Sequence, residues 1–468
     1  MSKAAPVAGM ILAFCIVVFL VGTMTAHYKV FPYPNIRDAV RTLRVLVKEP
    51  PVEQRVPVDG YMEKTTILAS KAANARWTIL DPSVPRLPVI ANGGMHRFRD
   101  LCPDQGCLAV AYDGQGNVAE TWPFRPVNIF AADITDGAYP HEMLGFDPGK
   151  HVRLVSVQPY ANSDILVIMH SSGGAIFPFG MGVTRVAPDG TPRWTRADYS
   201  HHWSTFGVDG LAYVPSLKVG KGNVSFHLGN GASRLHHTLG CRSERPQLDI
   251  IQKIDGAGGV VEEIELMPII LKSNWAGLLL ESTEFCDPLH LNYIDQIGAD
   301  AGPGLEPGDL VLSLRNISRF VIFNLKTRQI KRVVGGTFAQ QHSVHHLSGS
   351  KFLIFDNRGG DALGPASRII ELDLANGAER RIFPNAKTPD AYAEVYSDRA
   401  GYLDISPDRS RMLASFTQAG LAFEVDIASG RLLAVFDNLH DISTAPEIPE
   451  DAKRHAGRFE FFGMSYVK

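Results

Sequence analysis

One unit recurs six times along the chain, and no other feature restricts its fold as tightly. The unit is a short apolar strand, a turn carrying Gly, Asn or Lys-Thr, and a second strand that often starts basic or β-branched. The copies are VAYDGQGNVAETW from Val110, VTRVAPDGTPRWTR from Val183, IIQKIDGAGGVVEEIEL from Ile250, FVIFNLKTRQIKRVV from Phe320, IIELDLANGAERRIF from Ile369 and AFEVDIASGRLLAVF from Ala422. Asp-Gly or Asn-Gly between alternating apolar runs is the strongest short-range hairpin signal. The starts lie about 50 to 75 residues apart. Between the hairpins sit further strands: DILVIMH (Asp164 to His170), DGLAYVP (Asp209 to Pro215), GDLVLSLR (Gly308 to Arg315) and SKFLIFDN (Ser350 to Asn357). Each period therefore holds four short strands and almost no 3.6-residue pattern, which is the signature of a propeller blade. Six blades account for the 468 residues, whereas two β-sandwiches predict no shared period. The 43 Gly and 30 Pro suit a turn-rich β protein. The predicted fold is all-β, a six-bladed β-propeller preceded by an N-terminal transmembrane helix, with the propeller over residues 101–468.

The segment from Pro6 to Ala26 is 21 residues without a charge. As a helix rising 1.5 Å per residue it spans a hydrocarbon core of about 30 Å. Cleavage after Ala26 would put Met24 at the −3 position, where a signal peptidase prefers a small residue, so an uncleaved signal anchor over 1–26 is the favoured reading. Residues 27–100 then read as a juxtamembrane helix and linker, with basic side chains between Asn35 and Lys48 on one amphipathic face. Lys3 is the one basic residue before the span, while Lys29, Arg37, Arg41, Arg44 and Lys48 follow it. Taken literally, the positive-inside rule puts the body in the cytoplasm, but long domains translocate largely regardless of charge. Cys15 falls within the span; Cys102, Cys107, Cys241 and Cys286 lie outside it, and Cys102 and Cys107 bracket a loop that a disulfide closes readily. The expectation from these residues is a single-pass membrane anchor carrying a disulfide-bearing exported body, against the literal charge rule. Lys and Arg total 46 against 49 Asp and Glu, a net charge of −3, so no basic surplus exists to follow a nucleic-acid backbone.

In a propeller the outer strand of one blade crosses to the inner strand of the next, and the residues just before that inner strand crowd the mouth of the central channel. Three such crossovers carry histidine. His201 and His202 lie in ADYSHHWSTFGVDGLAYV, His290 in STEFCDPLHLNYID, and His342 in GGTFAQQHSVHHLSGSKFLIFDN. Three sequential blades thus aim imidazoles at one place, with either His201 or His202 facing it. Arg315 ends the strand after His290 and reaches the same mouth, while Arg319 reads as a surface residue. Asp356 and Asn357 end the strand after His342 and read as orienting support. His345, His346, His236 and His237 read as structural or rim residues.

Several histidines with one arginine and no paired carboxylates suit an anionic substrate group. Imidazole is a nucleophile at neutral pH, a second imidazolium protonates a leaving oxygen, and an Arg fork holds two oxygens of a tetrahedral anion. Transfer of a sulfuryl or phosphoryl group through a His intermediate follows. Two other classes use the same residues: a non-catalytic ligand- or protein-binding propeller, and a metal-dependent hydrolase or oxidoreductase.

The segments HHWSTFGVDGLAYV, DPLHLNYID with GDLVLSLRNISRFVIFNL, and QHSVHHLSGSKFLIFDNRGGD resemble the bacterial arylsulfotransferase (arylsulfate sulfotransferase) family from about residue 150 to 436. The resemblance implies a six-bladed propeller exported to the periplasm, here behind a single inner-membrane span, that needs no cofactor and no adenosine phosphosulfate. It implies an aryl sulfate donor, a phenolic acceptor and a ping-pong route. It makes His342 the nucleophile that becomes sulfohistidine, gives His290 and His202 the binding of the sulfuryl group or protonation of the leaving phenolate, and gives Arg315 the stabilisation of negative charge. Asn292 of the HLN motif joins His201 as a substrate-binding or supporting residue. The chain departs from the family where Trp203 follows the HH pair in place of an acidic residue, and in an insertion from Lys272 to Glu284.

Overall fold

A computed structural model describes residues 76–467 except 95–96, 103, 131–134, 137–151, 172–179, 229–234, 283, 359–366, 398, 441–456 and 461, together with 17–18 and 61–62. The expected anchor over 1–26 lies outside the described residues apart from Val17 and Val18, and so does the amphipathic helix expected over 35–48. Among the described residues no helix is long and apolar enough to cross a membrane.

Six of the eight sheets among the described residues are blades with a core of four antiparallel strands, consecutive along the chain in all but the first and third. Blade 1 runs from Met464–Tyr466 at the axis through Val89–Asn92 and Cys107–Tyr112 to Val118–Pro123. Blade 2 follows with Val152–Pro159, Ile165–Ser171, Gly180–Val186 and Pro192–Arg196, and carries Thr135–Asp136 as a parallel outer addition. Blade 3 consists of Thr205–Phe206, Ala212–Val219, Gln247–Ile254 and Val260–Glu265. Blade 4 has Leu291–Gln296, Leu310–Leu314, Arg319–Asn324 and Gln329–Val334, and blade 5 has Val344–Ser348, Lys351–Asp356, Arg368–Asp373 and Ala378–Phe383. Blade 6 has Tyr402–Ile405, Arg411–Phe416, Leu421–Asp426 and Leu432–Asp437. Each repeat recognised in the sequence forms the third and fourth strands of its blade.

The ring is sewn shut by both ends of the described chain. Val89 pairs with Tyr466 and Ala91 with Met464, so the innermost strand of blade 1 comes from the C-terminal end. Trp77–Ile79 adds a fifth strand to blade 6 along Ala434–Phe436. The propeller therefore begins before residue 101, because its first and last blades borrow strands from the segment read as linker.

Strands buried on both faces explain the near-continuous apolar runs, such as Ile165–Ser171, in which every residue is buried. Six apolar clusters fill the six seams between neighbouring blades. Blades 3 and 4, for example, meet through Tyr213, Ile251, Leu291 and Leu312, and blades 6 and 1 through Val110, Leu413, Phe436 and Met464. Two disulfides, Cys102–Cys107 and Cys241–Cys286, staple loops at the periphery. The second ties the segment before blade 3's third strand to the stretch that precedes His290. A separate two-stranded hairpin, Val224–Leu228 with Leu235–Leu239, is inserted between the second and third strands of blade 3 and carries His236 and His237, neither of which lines the axial cavity.

Candidate active site

All six blades contribute to one cavity of about 260 Å³ on the ring axis. Blades 3, 4 and 5 supply His202, Trp203, His290, Asn292, Tyr293, Arg315 and His342. Blades 6, 1 and 2 supply Arg399, Ala400, Gly401, Tyr402, Phe462, Arg153, Val155 and His170. No carboxylate lines this cavity among the described residues. The histidines expected from the crossovers thus meet beside the expected arginine.

Backbone conformation aims the rings. His202 and His290 both adopt left-handed dihedrals, each with φ of 57°, just ahead of their inner strands. Such a conformation is uncommon for a side-chain-bearing residue and is kept only where its surroundings hold it. The His202 backbone N–H donates to His170 Nε2 at 2.9 Å. The His290 carbonyl accepts from the Arg315 backbone N–H at 3.1 Å, and Leu291 N–H donates to Asp249 Oδ1 at 2.8 Å.

His202 is the hub. Its ring centre lies 4.8 Å from those of His201 and His290, 5.4 Å from His170 and 6.2 Å from His342. His201 sits behind it, buried and outside the cavity lining, with the two Nδ1 atoms 2.6 Å apart. One of that pair donates and the other accepts, so both rings cannot be charged together. His202 rather than His201 therefore faces the cavity.

His342 is held at both nitrogens. Asn357 donates its amide to the carbonyls of Ser397 at 2.7 Å and Ala400 at 2.6 Å, which leaves its Oδ1 to accept from His342 Nδ1 at 2.7 Å. That arrangement fixes the proton on Nδ1 and the lone pair on Nε2, which accepts the Ala400 N–H at 3.1 Å. Asp356 is one step further out: it binds Arg368 Nε at 2.7 Å and the Ala339 N–H at 3.0 Å, anchoring the crossover that delivers His342. Asn292 donates to the Gln341 carbonyl at 2.8 Å on the same crossover. His290 Nδ1 contacts the Asp287 carboxylate, an orienting partner that also stabilises an imidazolium. Arg315 is steadied by Asn316 Oδ1 at 2.9 Å and Gln340 Oε1 at 3.5 Å.

Burial favours the neutral form of His342, His201, His202 and His170. His342 is pushed down to about 3, first by desolvation and then by the Arg315 charge. Desolvation likewise lowers His201 to about 3, with His290 adding to the effect. His202 falls well below the ordinary range through desolvation and its imidazole neighbours, and His170 through desolvation and Arg153.

Several lining residues carry no signal in the sequence. His170 ends a buried strand and looks like any packed residue there. Arg153, Arg399 and Phe462 are single contributions from blades without a recognisable motif. Trp203, singled out as a departure from the family pattern, stacks on Tyr402 with ring centres 3.4 Å apart. Gly463 makes room for that stack: a Cβ there would lie 2.6 Å from the Trp203 ring. Arg319 pairs with Glu281 at 2.9 Å near the surface, while His345 and His346 pack on the far side of Tyr293 and Tyr402, where they line a second cavity of about 420 Å³. Among the described residues no three His, Cys, Asp or Glu side chains are grouped to hold one metal ion.

The family model described as arylsulfotransferase (ASST) matches residues 247–435. That match supports membership of the arylsulfotransferase family. The matched stretch contains His290, Arg315, His342 and Asn357, while His202 lies ahead of it. No curated protein matches the chain. Among solved structures, a protein of unknown function from Bacteroides caccae shares 12% identity at a TM-score of 0.43, over 82% of this chain and 99% of its own. A catalytically inactive virginiamycin B lyase from Staphylococcus aureus, with quinupristin, shares 10% identity at 0.34, over 61% of this chain and 70% of its own. Hydrazine synthase of Kuenenia stuttgartiensis shares 10% identity at 0.34, over 68% of this chain and 70% of its own.

Proposed function

We propose that the protein moves a sulfuryl group from an aryl sulfate to a phenolic acceptor through a sulfohistidine at His342, without adenosine phosphosulfate. The observation that carries this reading is the meeting of His202, His290, His342 and Arg315 in one cavity without a lining carboxylate. Such a wall favours a tetrahedral anion.

In the first half-reaction the Nε2 lone pair of His342 leaves its hydrogen bond with Ala400, attacks sulfur and forms the N–S bond. The S–O(aryl) bond breaks, and its electron pair stays with the leaving phenolate, which takes a proton from His290. Positive charge developing on the His342 ring is shared with Nδ1–H, where Asn357 Oδ1 accepts it. In the second half the acceptor phenol returns its proton to His290, its oxygen bonds to sulfur, and the N–S bond breaks to regenerate His342. Arg315 and His202 hold the sulfuryl oxygens throughout. A cavity of about 150 Å³ holds a benzene, so 260 Å³ accommodates the ring of an aryl sulfate.

The test is intact-protein mass after exposure to 4-nitrophenyl sulfate, together with release of nitrophenolate when a phenol is added. One added sulfuryl group on the wild type, absent in His342→Ala, is the expected result. Unchanged turnover in His342→Ala rejects this nucleophile, and binding without turnover reassigns the cavity to a binding propeller.

We further propose that the propeller works in an oxidising compartment, as the periplasmic half of a single-pass inner-membrane protein. Disulfides Cys102–Cys107 and Cys241–Cys286 support the compartment, since such bonds persist where thiols are not kept reduced. Protease access to the propeller in spheroplasts, with the membrane intact, tests it.

A further inference from the structure

The cavity has two chemically different halves. In a six-membered ring blade 1 lies opposite blade 4, blade 2 opposite blade 5, and blade 6 opposite blade 3. The sulfuryl-holding residues His202, His290, Arg315 and His342 all belong to blades 3, 4 and 5. Facing them, blades 6, 1 and 2 present an aromatic surface, Tyr402 and Phe462, with Trp203 stacked on Tyr402. Two further guanidinium groups belong to that same half. Arg153 stands in the inner strand of blade 2 with its Cζ 5.1 Å from the Phe462 ring centre, and Arg399 precedes the inner strand of blade 6 on an exposed stretch.

One sulfuryl group is a monoanion when esterified and is served by one arginine and its histidines. Two more arginines in the lining, with no lining carboxylate among the described residues, exceed what that group requires. Both border the aromatic surface, Arg153 against the Phe462 ring and Arg399 three residues ahead of Tyr402, so they flank the ring of an aryl sulfate whose sulfuryl group blades 3, 4 and 5 hold. We propose that Arg153 and Arg399 form a second anion subsite, so that the preferred substrates are phenols and aryl sulfates bearing a carboxylate or comparable anion on the ring, away from the reacting oxygen. The assignment rests on the sulfotransfer reading for the identity of the reacting group, and on the cavity's own charge distribution for the second anion. A guanidinium fork pairs with a carboxylate in two parallel hydrogen bonds, and such charge-assisted contacts are among the strong ones. Loss of that pairing is felt as a tenfold or larger change in relative affinity.

The experiment compares 4-hydroxyphenylacetate with its methyl ester, which has the same ring and hydroxyl without the charge. As acceptors, with 4-nitrophenyl sulfate as donor, the acid should show a kcat/KM at least tenfold above the ester. That ratio should fall to about one in the Arg153→Met/Arg399→Gln protein. Equilibrium titration of the two compounds into the resting protein reads the same preference without turnover. Arg399→Gln alone, on an exposed stretch, keeps the test decisive if the Arg153 change impairs folding, and should lower the acid-to-ester ratio severalfold. Equal affinities and equal kcat/KM for acid and ester in the wild type overturn the subsite while leaving sulfotransfer standing. So does a preference that survives both substitutions. Selective binding of the acid that both arginines control, with no turnover of any aryl sulfate, upholds the subsite and overturns the sulfotransfer reading.

Discussion

Acidification should destabilise the empty propeller through its buried imidazoles, and His342 gives the cleanest measure. In the folded protein this ring titrates at about 3, against an unfolded value of 6.5. Above 6.5 both states hold it neutral, and its contribution is fully in place. Between 6.5 and 3 the unfolded chain binds the extra proton, so stability falls as pH falls across that window. At pH 5 the unfolded state has gained about 1.5 pH units of protonation free energy, or about 2 kcal/mol at 1.36 kcal/mol per unit. A propeller of about 400 residues has an unfolding entropy near 0.8 kcal/mol/K, so this becomes a midpoint shift of about 2.5 °C. Other groups titrate in the same range. His201, His202 and His170 add losses of the same sign. Asp249, whose carboxyl is pushed up first by burial and then by Asp287, works the other way. Comparison of the wild type with His342→Gln cancels those shared contributions, since Gln retains an amide able to meet Asn357 and Ala400. Thermal unfolding followed by circular dichroism at pH 7 and pH 5, in a cationic buffer, should show the wild type losing about 2.5 °C more than the variant. Equal losses, or a smaller loss in the wild type, refute the claim that His342 is stored neutral by its surroundings. Saturating sulfate should shrink the wild-type loss, because an anion beside the ring favours its charged form.

Asn357→Ala removes the acceptor that fixes the proton on His342 Nδ1 and leaves the Ser397 and Ala400 carbonyls without their donor; steady-state kinetics should show kcat at least tenfold lower with KM little changed, and urea unfolding should show a loss of about 1–3 kcal/mol. Reduction of the two disulfides should be unequal: the chain-entropy relation gives about 4 kcal/mol for Cys241–Cys286, which spans 45 residues, and about 2 kcal/mol for Cys102–Cys107, which spans 5, so urea midpoints of the two Cys-to-Ser pairs should fall in that order. Gly463→Ala drives a methyl group into the Trp203 and Tyr402 rings, at 2.6 and 2.8 Å; the cost should be about 1–3 kcal/mol in thermal unfolding, with nitrophenolate release reduced because Trp203 follows His202 directly.

The hairpins were legible because strands joined by a tight turn leave their pairing in adjacent residues, as in DGQGN or DGTPR. The closure was not. The pairing of Val89 with Tyr466 joins opposite ends of the described chain, and a three-residue strand such as Met464–Tyr466 has no period to detect. For the site, repetition was the informative signal: His290 and His342 occupy corresponding crossovers, so their convergence followed from blade geometry alone. His201 and His202 remained equivalent in sequence because the choice between them lies in one backbone dihedral, the left-handed turn at His202. Arg153 and His170 escaped notice for a different reason. They sit opposite one another on the first two strands of blade 2, where the burial pattern of a two-faced strand hides which residue reaches past the strand end into the axis.

Closure of the channel beneath the cavity bears on why a covalent intermediate would survive there. Tyr293 and Tyr402 line both the histidine cavity and the 420 Å³ cavity on the other side. Trp203 stacks on Tyr402, and Tyr293 Oη lies 2.8 Å from His345 Nε2, so the layer between the two cavities is made of packed rings joined by hydrogen bonds. Each of the three aromatic residues is at most 4% exposed. Under the proposed reaction, donor, acceptor and leaving phenol would share one mouth, and the acceptor would enter after the first phenol has left. The neutral rings of His342, His202, His201 and His170 suit that interval, since an uncharged imidazole draws little water. The geometry that keeps His342 unprotonated in the resting protein is therefore the same geometry that would shield an N–S bond from hydrolysis, and the aromatic layer and the imidazole cluster act as two sides of one water-excluding device.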